Sequence, residues 1–437
     1  MTTLASSTPT PILKVSQSPT LLIIILGISI RFIHISLLYI LSRLIPSFDS
    51  SQSLISLENF PGLRWDAIHF VSIVQNGYEF EQQLAFQPLL MGLLRLLGQS
   101  VAYIRGREIE VVDIIWSGVG VSAVAWVGAS AILYKLTVHL YNPAFAILTT
   151  ILYMIPPTPV PSLPYTEPLY AFTTFLSIYL MIVKRQYLLT GVMFACSMGM
   201  RATGIFNILI LGGVGLMEGL SVDRITPKVL SRRLLTRSHK LIIPCALTVS
   251  PFLLIQWYAY QSFCYQNEGP GRPWCESGLP FVYGFVQKEY WNIGFLNYWT
   301  IPNIPNILLP LPIFLTSVLG IKRIVLSCHT TQRRPHVRSE ILVLYIHHTL
   351  MMLLLLFNSH TQILLRACIT DPVIWWNVAG SAVNWENKED DSGQDRGKII
   401  GGRGYIRLTR IGKYWIGWCV IWSTVSMILW VGHYPPA

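Results

Sequence analysis

Long apolar blocks recur along the whole of this 437-residue chain and decide its fold class. Three of them read LLIIILGISI at 21–30, LLTGVMFACSMGM at 188–200 and HTLMMLLLLF at 348–357. About 20 consecutive apolar residues are enough for a helix to cross the hydrocarbon core of a bilayer. Only 12% of the residues are charged, compared with roughly 25% in soluble domains. The pattern therefore predicts an all-α, polytopic membrane protein.

The basic residues concentrate in two short loops between apolar segments, 219–240 and 322–338. Basic loops of this kind mark the cytoplasmic side of a membrane protein. The formal net charge of +11 is thus explained by topology, and no nucleic-acid partner is predicted. Counting from these loops gives about 11 spans. The predicted spans are 21–45, 111–135, 143–157, 168–183, 187–200, 202–218, 241–262, 301–320, 341–364, 366–384 and 414–433.

The whole chain, 1–437, is predicted to form one transmembrane domain with four longer polar segments. LLMGLLRLLG at 89–98 is short and contains Arg95, so it is predicted to be a juxtamembrane helix on the outer surface. The pair His347-His348 is expected near the cytoplasmic end of its span. The four polar segments are a cytosolic tail (1–20), a large first outer loop (46–110), a second outer loop (264–300) and a flexible cytosolic linker (386–413).

Polar side chains at the ends of the predicted spans gather on the non-cytosolic face. Such ionisable residues are functional candidates because their burial in a membrane is costly. Each also fits a structural role: Glu167 a helix cap, Arg201 a contact with lipid headgroups, and Asp66 an exposed loop carboxylate. From the residues alone, a polar site on this face is predicted. The candidates are Asp66, Glu167, Arg201, Gln287, Lys288, Glu289, His360, Gln362 and Arg366.

Five segments carry a resemblance to a known family. They are RWDAIHFVSIVQNGYEFEQQLAFQP (64–88), YTEPLYAF (165–172), GMRATGIFN (199–207), PWCESGLPFVYGFVQKEYWNIGFLNYW (273–299) and SHTQILLRACITDPVIWW (359–376). In this order they resemble the motifs of the GPI mannosyltransferase II family. The chain departs from the family at Ala202-Thr203, where the family has Ser-Asn, at Thr166, where it has Ser, and at Leu365, where it has Thr.

The resemblance implies an enzyme of the endoplasmic-reticulum membrane with the GT-C architecture and a lumenal active site. It would transfer the second mannose, α-1,6-linked, from dolichyl-phosphate-mannose to the mono-mannosylated GPI-anchor precursor. Because the donor is β-linked and the product α-linked, one displacement with inversion is expected. Two alternatives are a related mannosyltransferase with another lipid acceptor and a lipid-linked sugar transporter, although no internal repeat of the transporter kind is evident.

This chemistry needs a base near the acceptor hydroxyl and cations or hydrogen-bond donors around the departing phosphate. Asp66, beside Trp65, is the predicted catalytic base. Arg366 is the favoured phosphate ligand because its fork matches phosphate oxygens. Glu167 is assigned to acceptor hydroxyls or to orienting a cation. Further predicted substrate-binding residues are His360, Gln362, Arg201 and Lys288, while Trp65, Trp291 and Trp299 either stack on sugar rings or anchor their loops.

No cofactor and no metal are predicted. The leaving group is a phosphomonoester, the only acids near Asp66 are Glu79 and Glu81, and a D-x-D pair of the nucleotide-sugar type is absent from the sequence. Cys264 and Cys275 both lie in the polar 264–300 loop, so an oxidising lumen would allow them to form a disulfide. The predicted partners are the two lipid substrates and the membrane, and the requirement for a small accessory subunit is left open.

Overall fold

The computed structural model describes residues 19–46, 48, 60–220, 225–265, 272–329, 338–385 and 406–434. The predicted cytosolic tail, except for its last two residues, lies outside these ranges, as does the greater part of the predicted 386–413 linker. Short parts of both outer loops and of both basic loops also lie outside them.

The described chain is built almost entirely from helices. The α-helices are α1 (Pro19–Leu44), α2 (Asp66–Asn76), α3 (Pro88–Ile104), α4 (Val111–Leu140), α5 (Pro143–Tyr153), α6 (Thr166–Ile182), α7 (Tyr187–Met200), α8 (Asn207–Met217), α9 (Pro227–Tyr260), α10 (Val282–Glu289), α11 (Ile304–Leu308), α12 (Leu311–His329), α13 (Ser339–Phe357), α14 (Leu364–Ala367), α15 (Pro372–Ala382) and α16 (Arg410–Val431).

Short 3-10 turns and one strand pair complete the fold. The 3-10 turns are Glu81–Ala85, Val160–Ser162, Ala202–Phe206, Ile301–Asn303, Thr361–Ile363 and Cys368–Thr370, and a π-turn spans Gln261–Tyr265. Strand β1 (Val383–Trp385) pairs antiparallel with β2 (Ile406–Leu408), with Val383 opposite Leu408. This pair joins the residues just before the predicted 386–413 linker to residues within it.

Five helices in the described ranges, α1, α4, α9 with its π-turn, α13 and α16, are long and apolar enough to cross a membrane. A sixth candidate is α11 with α12, bent by 63° at Pro310, which cannot continue a helical hydrogen-bond ladder. These elements confirm a helical, multi-pass membrane protein. Several predicted spans are instead shorter apolar helices, including α5, α7 and α8, and the total of about 11 stays a prediction.

The juxtamembrane helix predicted at 89–98 is longer in the structure. It forms α3, which begins at Pro88, a residue suited to the first helical position. Leu90, Met91 and Leu94 are buried, whereas Arg95 is exposed. One buried face and one exposed face are typical of a helix that lies against the rest of the protein.

The predicted span 366–384 is wrong at its start. Residues 361–370 form two 3-10 turns with the four-residue helix α14 between them, and the longer helix α15 begins only at Pro372. Asp371 caps α15 by accepting a hydrogen bond from the Val373 amide at 2.9 Å. Asp371 also contacts His348, which lies halfway along α13. The turn segment therefore descends from the end of α13 to the middle of that helix. Irregular backbone at such depth is tolerated where protein buries it or where it lines a cavity.

The two predicted sides of the membrane are separated in the structure. Glu218 pairs with Arg185 at 3.0 Å and with Arg237 at 2.7 Å, which brings the predicted cytosolic loops together. Glu167 lies in the first turn of α6, and Arg185 follows the other end of that helix. The 17-residue helix therefore holds Glu167 and Arg185, one on each predicted side of the membrane, about 24 Å apart. His347 and His348 lie halfway along α13 and are buried, rather than near its cytoplasmic end as expected.

Candidate active site

Four charged side chains from distant parts of the sequence meet at the outer end of the helices. Asp66 is the first residue of α2, and Glu167 is the second residue of α6. Arg201 is the C-cap of α7, and Arg366 lies in the last turn of α14. Helix dipoles favour acids at helix starts and bases at helix ends. Each group thus occupies the end of a helix that suits its charge, and we call these four residues the charged cluster.

The charged cluster is a continuous chain of ion pairs. The Arg366 Nη1 atom donates to Asp66 Oδ2 at 2.6 Å, and Arg366 Nε lies 3.4 Å from Glu167 Oε1. Arg201 Nη1 approaches the same Glu167 oxygen to 2.6 Å and donates to Thr166 Oγ1 at 3.1 Å. Glu167 is fully buried, whereas Asp66 and Arg201 each keep 21% of the side chain exposed. The cluster is therefore closed to solvent at Glu167 and open to solvent at Asp66 and Arg201.

The geometry leaves hydrogen-bonding capacity inside the cluster. Glu167 Oε1 and Arg366 Nε are buried and have no hydrogen-bond partner among the described residues, although both are at ion-pair distance from opposite charges. Buried polar atoms without a partner are rare in native proteins and indicate a place for a ligand or water. Two acids and two bases also make the cluster formally neutral.

Tyr165 supports the cluster from below. The Arg366 guanidinium lies 5.7 Å from the centre of the Tyr165 ring, within cation–π range. The Tyr165 hydroxyl donates to the Arg64 carbonyl at 3.1 Å, two residues before Asp66. This contact ties the start of α6 to the segment that carries Asp66. Trp65, between Arg64 and Asp66, has a φ of +53°, which is strained for a bulky residue.

An aromatic wall lies beside Asp66. His69 follows Asp66 by three residues and therefore shares its face of α2. Its ring stacks on Phe86 at 5.4 Å and meets Trp291 edge-on at 6.4 Å. His360 donates from Nε2 to the Trp291 carbonyl at 3.1 Å and stacks on Tyr298 at 4.6 Å. Sugar rings bind well to surfaces of this type, which combine apolar faces with a few donors.

Both histidines of this wall favour the neutral form. Burial lowers the pKa of His69, and the nearby Asp66 carboxylate opposes that shift only in part. Burial also lowers the pKa of His360, helped by the positive charge of Arg366 and opposed by the hydrogen bond to Trp291. Near neutral pH these rings can stack and hydrogen-bond, but they add no positive charge beside the cluster.

A second carboxylate, Glu81, fastens the 264–300 loop to the first outer loop. It accepts hydrogen bonds from the Trp274 indole and from the Tyr290 hydroxyl, the latter at 2.8 Å, and pairs with Arg272 at 3.2 Å. Cys264 and Cys275 are joined in a disulfide, as the sequence suggested for an oxidising compartment. We call the contacts of Glu81 with Trp274, Tyr290 and Arg272 the Glu81 clamp. It holds the loop in which helix α10 leads directly to Trp291.

The remaining predicted site residues stand apart from the charged cluster. Lys288 is exposed on α10, and Gln362 is half-buried in the turn after α13; no described contact joins either to Asp66 or Arg366. The Trp299 indole donates to the Leu356 carbonyl at 2.7 Å, which is an anchoring contact. Trp65 packs edge-on against His433 at 5.1 Å, and its buried Nε1 atom has no partner within the described ranges.

Two residues of the site escaped the sequence analysis. His69 could have been found from its three-residue spacing after Asp66 once a helix was assigned there. Tyr165 had no such signal, because only the folded chain places its ring under Arg366. No group of three or more His, Cys, Asp or Glu suited to a metal occurs in the parts of the chain that the structure describes.

The charged cluster and the aromatic wall together place a partly exposed carboxylate and two guanidinium groups beside aromatic rings at the outer end of the helices. A carboxylate can accept a proton from a hydroxyl, and guanidinium groups bind anionic oxygens. This combination suits transfer of a group between an anionic leaving group and an alcohol.

Comparisons with known proteins agree with this chemistry. The family model described as Mannosyltransferase (PIG-V) matches residues 16–437. "GPI mannosyltransferase 2" of Cryptococcus neoformans var. neoformans serotype D (strain B-3501A) is 41% identical over 431 residues, which cover 96% of this chain and 99% of the relative. "GPI alpha-1,6-mannosyltransferase 2" of Cricetulus griseus is 30% identical over 382 residues, covering 74% of this chain and 73% of the relative.

Two solved structures resemble the chain more distantly. ArnT from Cupriavidus metallidurans, bound to undecaprenyl phosphate, has a TM-score of 0.45 and 12% identity, covering 82% of this chain and 59% of that one. The oligosaccharyltransferase AglB from Archaeoglobus fulgidus, in complex with an inhibitory peptide and a dolichol-phosphate, has a TM-score of 0.45 and 10% identity, covering 92% of this chain and 56% of that one.

Proposed function

The chain belongs to the Mannosyltransferase (PIG-V) family, and we propose that it adds the second, α-1,6-linked mannose to the GPI-anchor precursor. It is a mannosyltransferase of GPI-anchor biosynthesis and a multi-pass membrane protein. We further propose dolichyl-phosphate-mannose as the donor, the mono-mannosylated GPI lipid as the acceptor, and the lumenal face of the endoplasmic reticulum as the place of reaction. The transporter alternative is not retained, because the family is one of transferases.

A single observation carries the mechanistic proposal: Asp66 and Arg366 form a direct pair at 2.6 Å within a formally neutral cluster. In the proposed reaction the acceptor hydroxyl oxygen attacks C1 of the donor mannose. The bond between C1 and the phosphate oxygen breaks, and its electron pair stays on the phosphate. The attack comes from the face of C1 opposite the phosphate, so the configuration at C1 is inverted, and the hydroxyl proton passes to Asp66.

The charge balance explains why the base and the phosphate ligand are paired. The donor is a phosphodiester with one negative charge, and the leaving dolichyl phosphate gains a second. Asp66 becomes neutral when it accepts the hydroxyl proton, and Arg366 then keeps only Glu167 as a charged carboxylate partner. Its guanidinium is freed for the phosphate at the moment when the phosphate becomes more negative. Preorganised donors aimed at developing charge are the most effective form of transition-state stabilisation.

The other residues of the site are assigned to binding. Glu167 shares one oxygen between Arg201 and Arg366, and we propose that it holds both guanidinium groups in place for the phosphate. His360 and Gln362 are proposed to donate hydrogen bonds, and Trp65 with the wall around Trp291 to contact the sugars. Lys288 is proposed to attract the anionic substrates from its exposed position. The reaction so written uses only the two lipid substrates and draws on no metal or cofactor.

The experiment is complementation of cells that lack their own GPI mannosyltransferase 2, with the accumulated GPI lipids measured by mass spectrometry. We expect the wild-type chain to convert the one-mannose intermediate to the two-mannose product. Asp66→Asn should leave the intermediate in place, whereas Glu79→Gln, which changes an exposed acid of the same loop, should behave as wild type. If the one-mannose intermediate stays untouched in the deficient cells that carry the wild-type chain, the acceptor is a different one.

Location and subunit requirement are tested with the same material. We expect the chain to co-fractionate with endoplasmic-reticulum membranes. Purified chain, reconstituted with donor and acceptor in lipid vesicles, should transfer mannose if it acts alone. Activity that returns only on adding a membrane extract would demonstrate a required accessory subunit.

A further inference from the structure

The outer end of α16 packs against the part of the first outer loop that leads to Asp66. Three residues at this end, which we call the α16 latch, each contact a different residue of that loop and are at most 3% exposed. The contacts are Trp430 Nε1 to the Pro61 carbonyl at 2.9 Å, Arg64 Nη2 to the Val431 carbonyl at 3.5 Å, and the His433 ring to the Trp65 ring with 5.1 Å between the centres. The α16 latch therefore follows the loop up to the residue next to the proposed base.

Two residues in this contact have strained backbones. Trp65 has a φ of +53° and His433 a φ of +62°, in the left-handed region that residues other than glycine seldom adopt. Such conformations persist only where the surroundings impose them, and they cluster at functional sites. The two rings are almost perpendicular, at 89°, which is one of the favoured arrangements of aromatic pairs. Each strained residue therefore packs against the other, one residue before Asp66.

The backbone on either side of Trp65 is fixed by contacts of its own. The Arg64 carbonyl accepts from the Tyr165 hydroxyl at 3.1 Å, and the Asp66 carboxylate accepts from Arg366 at 2.6 Å. Trp65 is thus the joint between an anchored residue and the proposed base. A change of its φ from positive to negative would turn the Asp66 side chain away from its present direction, because the two soft torsions of each residue set the course of the chain.

The side chain of Trp65 depends on packing for its place. Its Nε1 atom is buried and has no hydrogen-bond partner among the described residues, and its described aromatic contact is the one with His433. His433 itself is only 3% exposed and follows Gly432, whose carbonyl accepts from the Phe48 amide at 2.9 Å. The α16 latch therefore offers Trp65 a buried, anchored surface, and the ring of His433 is the part in contact.

We propose that His433 is a positioning residue for the mannosyl transfer: it holds Trp65 in the left-handed conformation and thereby orients the Asp66 carboxylate toward the acceptor hydroxyl. This inference rests on the proposed function and adds a residue that none of the five motif segments contains. A general base must lie within hydrogen-bond reach of the proton that it accepts, and a displacement of about 1 Å can lower the rate about 100-fold. His433 thus acts on the rate through Trp65, without taking part in proton transfer.

The test uses the full-length purified chain and compares His433→Ala with His433→Phe, which keeps an aromatic ring, and with Tyr434→Ala. Tyr434 is the matched control, because it is the next residue, is 40% exposed and stacks on Phe48. The readouts are kcat and the KM for each substrate in lipid vesicles, and the melting temperature in detergent. A further readout is the rate at which a water-soluble carbodiimide labels Asp66, measured by mass spectrometry relative to the exposed Glu79.

We expect His433→Ala to lower kcat about 10- to 100-fold with each KM little changed, and to speed the labelling of Asp66 relative to Glu79. His433→Phe should restore most of kcat, and Tyr434→Ala should behave as wild type. Glycine adopts the left-handed conformation without strain, so adding His433→Ala to Trp65→Gly should lower kcat no further. If His433→Ala shows no cooperative melting, His433→Asn takes its place, because asparagine tolerates this conformation.

A purely structural role for His433 would give a lower melting temperature with unchanged kcat per folded molecule and unchanged labelling, and that result would overturn the proposal. An equal loss of kcat in Tyr434→Ala or in His433→Phe would also overturn it. Failure of the proposed function is separate, since the wild type would then not transfer mannose from dolichyl-phosphate-mannose. The labelling needs no turnover, so faster labelling of Asp66 in an inactive chain with His433→Ala would keep the link between these residues and reject only the reaction.

Discussion

Two acidic side chains in this protein each contact a base at the same distance, but the two pairs have different roles. Asp66 contacts Arg366 at 2.6 Å, and Asp371 contacts His348 at 2.6 Å. In the first pair both side chains remain partly exposed, and Arg366 has a second carboxylate nearby in Glu167. In the second pair His348 is fully buried, and Asp371 is also the cap of α15.

The difference shows that the surroundings, and not the contact distance, decide what a pair can do. A substrate can reach Asp66 and compete for Arg366, since the cluster is open on one side. His348 is closed to solvent, and its partner Asp371 caps the start of helix α15. The first pair is therefore suited to chemistry and the second to stability. Substitutions at five positions, together with a control substitution at Arg95, test this contrast.

Removal of the proposed base should have the largest effect. Asp66→Asn preserves size and can still accept from Arg366, but it cannot take up a proton. General-base catalysis contributes roughly 10²–10⁴-fold, so we expect kcat to fall by about that factor while the melting temperature stays unchanged. The measurement is mannosyl transfer in reconstituted membranes beside a thermal melt. Near-normal turnover by a folded Asp66→Asn protein would move the base elsewhere, with Glu167 as the next candidate.

Substitution of its partner should have the next largest effect. Arg366→Lys keeps the positive charge but loses the planar fork that reaches Asp66 and Glu167 together. A hydrogen bond to a charged group contributes about 1.5–3 kcal/mol, so kcat/KM should fall about 10- to 100-fold. Arg95→Lys, a change at an exposed position of α3, serves as the control. Equal activity of Arg366→Lys and wild type would exclude a role for the fork.

The second pair should respond in stability instead. His348→Phe keeps the ring shape and removes the donor to Asp371, which leaves a buried carboxylate with fewer partners. We expect a loss of about 1–3 kcal/mol of folding free energy, seen as a lower melting temperature, with turnover per folded molecule retained. His348→Asn, which offers an amide donor near the Nδ1 position, should restore part of the loss. A selective loss of kcat in stable His348→Phe would abolish the contrast between the pairs.

The Glu81 clamp should have a smaller effect on catalysis. Glu81→Gln removes the charge that faces Arg272 but leaves an oxygen for Trp274 or Tyr290. A partly exposed ion pair contributes about 1 kcal/mol or less, so we expect KM for the acceptor to rise by less than about fivefold with kcat unchanged. Initial-rate kinetics at varied acceptor concentration provide the measurement. A kcat effect as large as that of Asp66→Asn would place Glu81 in the chemistry itself.

Lys288 should matter least. It is exposed on α10 and joined by no described contact to the charged cluster. Removing an exposed charge changes local interactions by a few tenths of a kcal/mol, so Lys288→Ala should leave kcat/KM within about twofold of wild type. The rate should be measured at low and high salt, because an attraction between exposed charges is screened by salt. A large loss at both salt concentrations would demonstrate a direct contact with substrate.

Some of the site could be predicted from the sequence, for a physical reason. Apolar length and the bias of Lys and Arg toward one side determine topology locally, without knowledge of packing. They placed Asp66, Glu167, Arg201 and Arg366 on one membrane face, and the structure brings all four into contact. The resemblance of the motifs indicated the same family that the comparisons show. The catalytic and binding roles of these residues stay predictions.

Other features needed the folded chain. Hydropathy averages over a window, so it joined residues 361–364 to the span of α13 and residues 366–370 to the span of α15, although the helix is broken in both places. It also could not place His347 and His348 in the interior, since Asp371, the partner of His348, is supplied by that broken segment.

The sequence by itself indicated a helical membrane protein with a polar site on one face, because bilayer thickness and charge bias act on each segment separately, and the resemblance of its motifs indicated an enzyme. Only the tertiary structure decided which acid meets which base and how the Tyr165 ring comes to lie under Arg366. Those properties depend on side chains that are up to 300 residues apart in the chain. Their contacts arise when helices pack, and no local pattern records them.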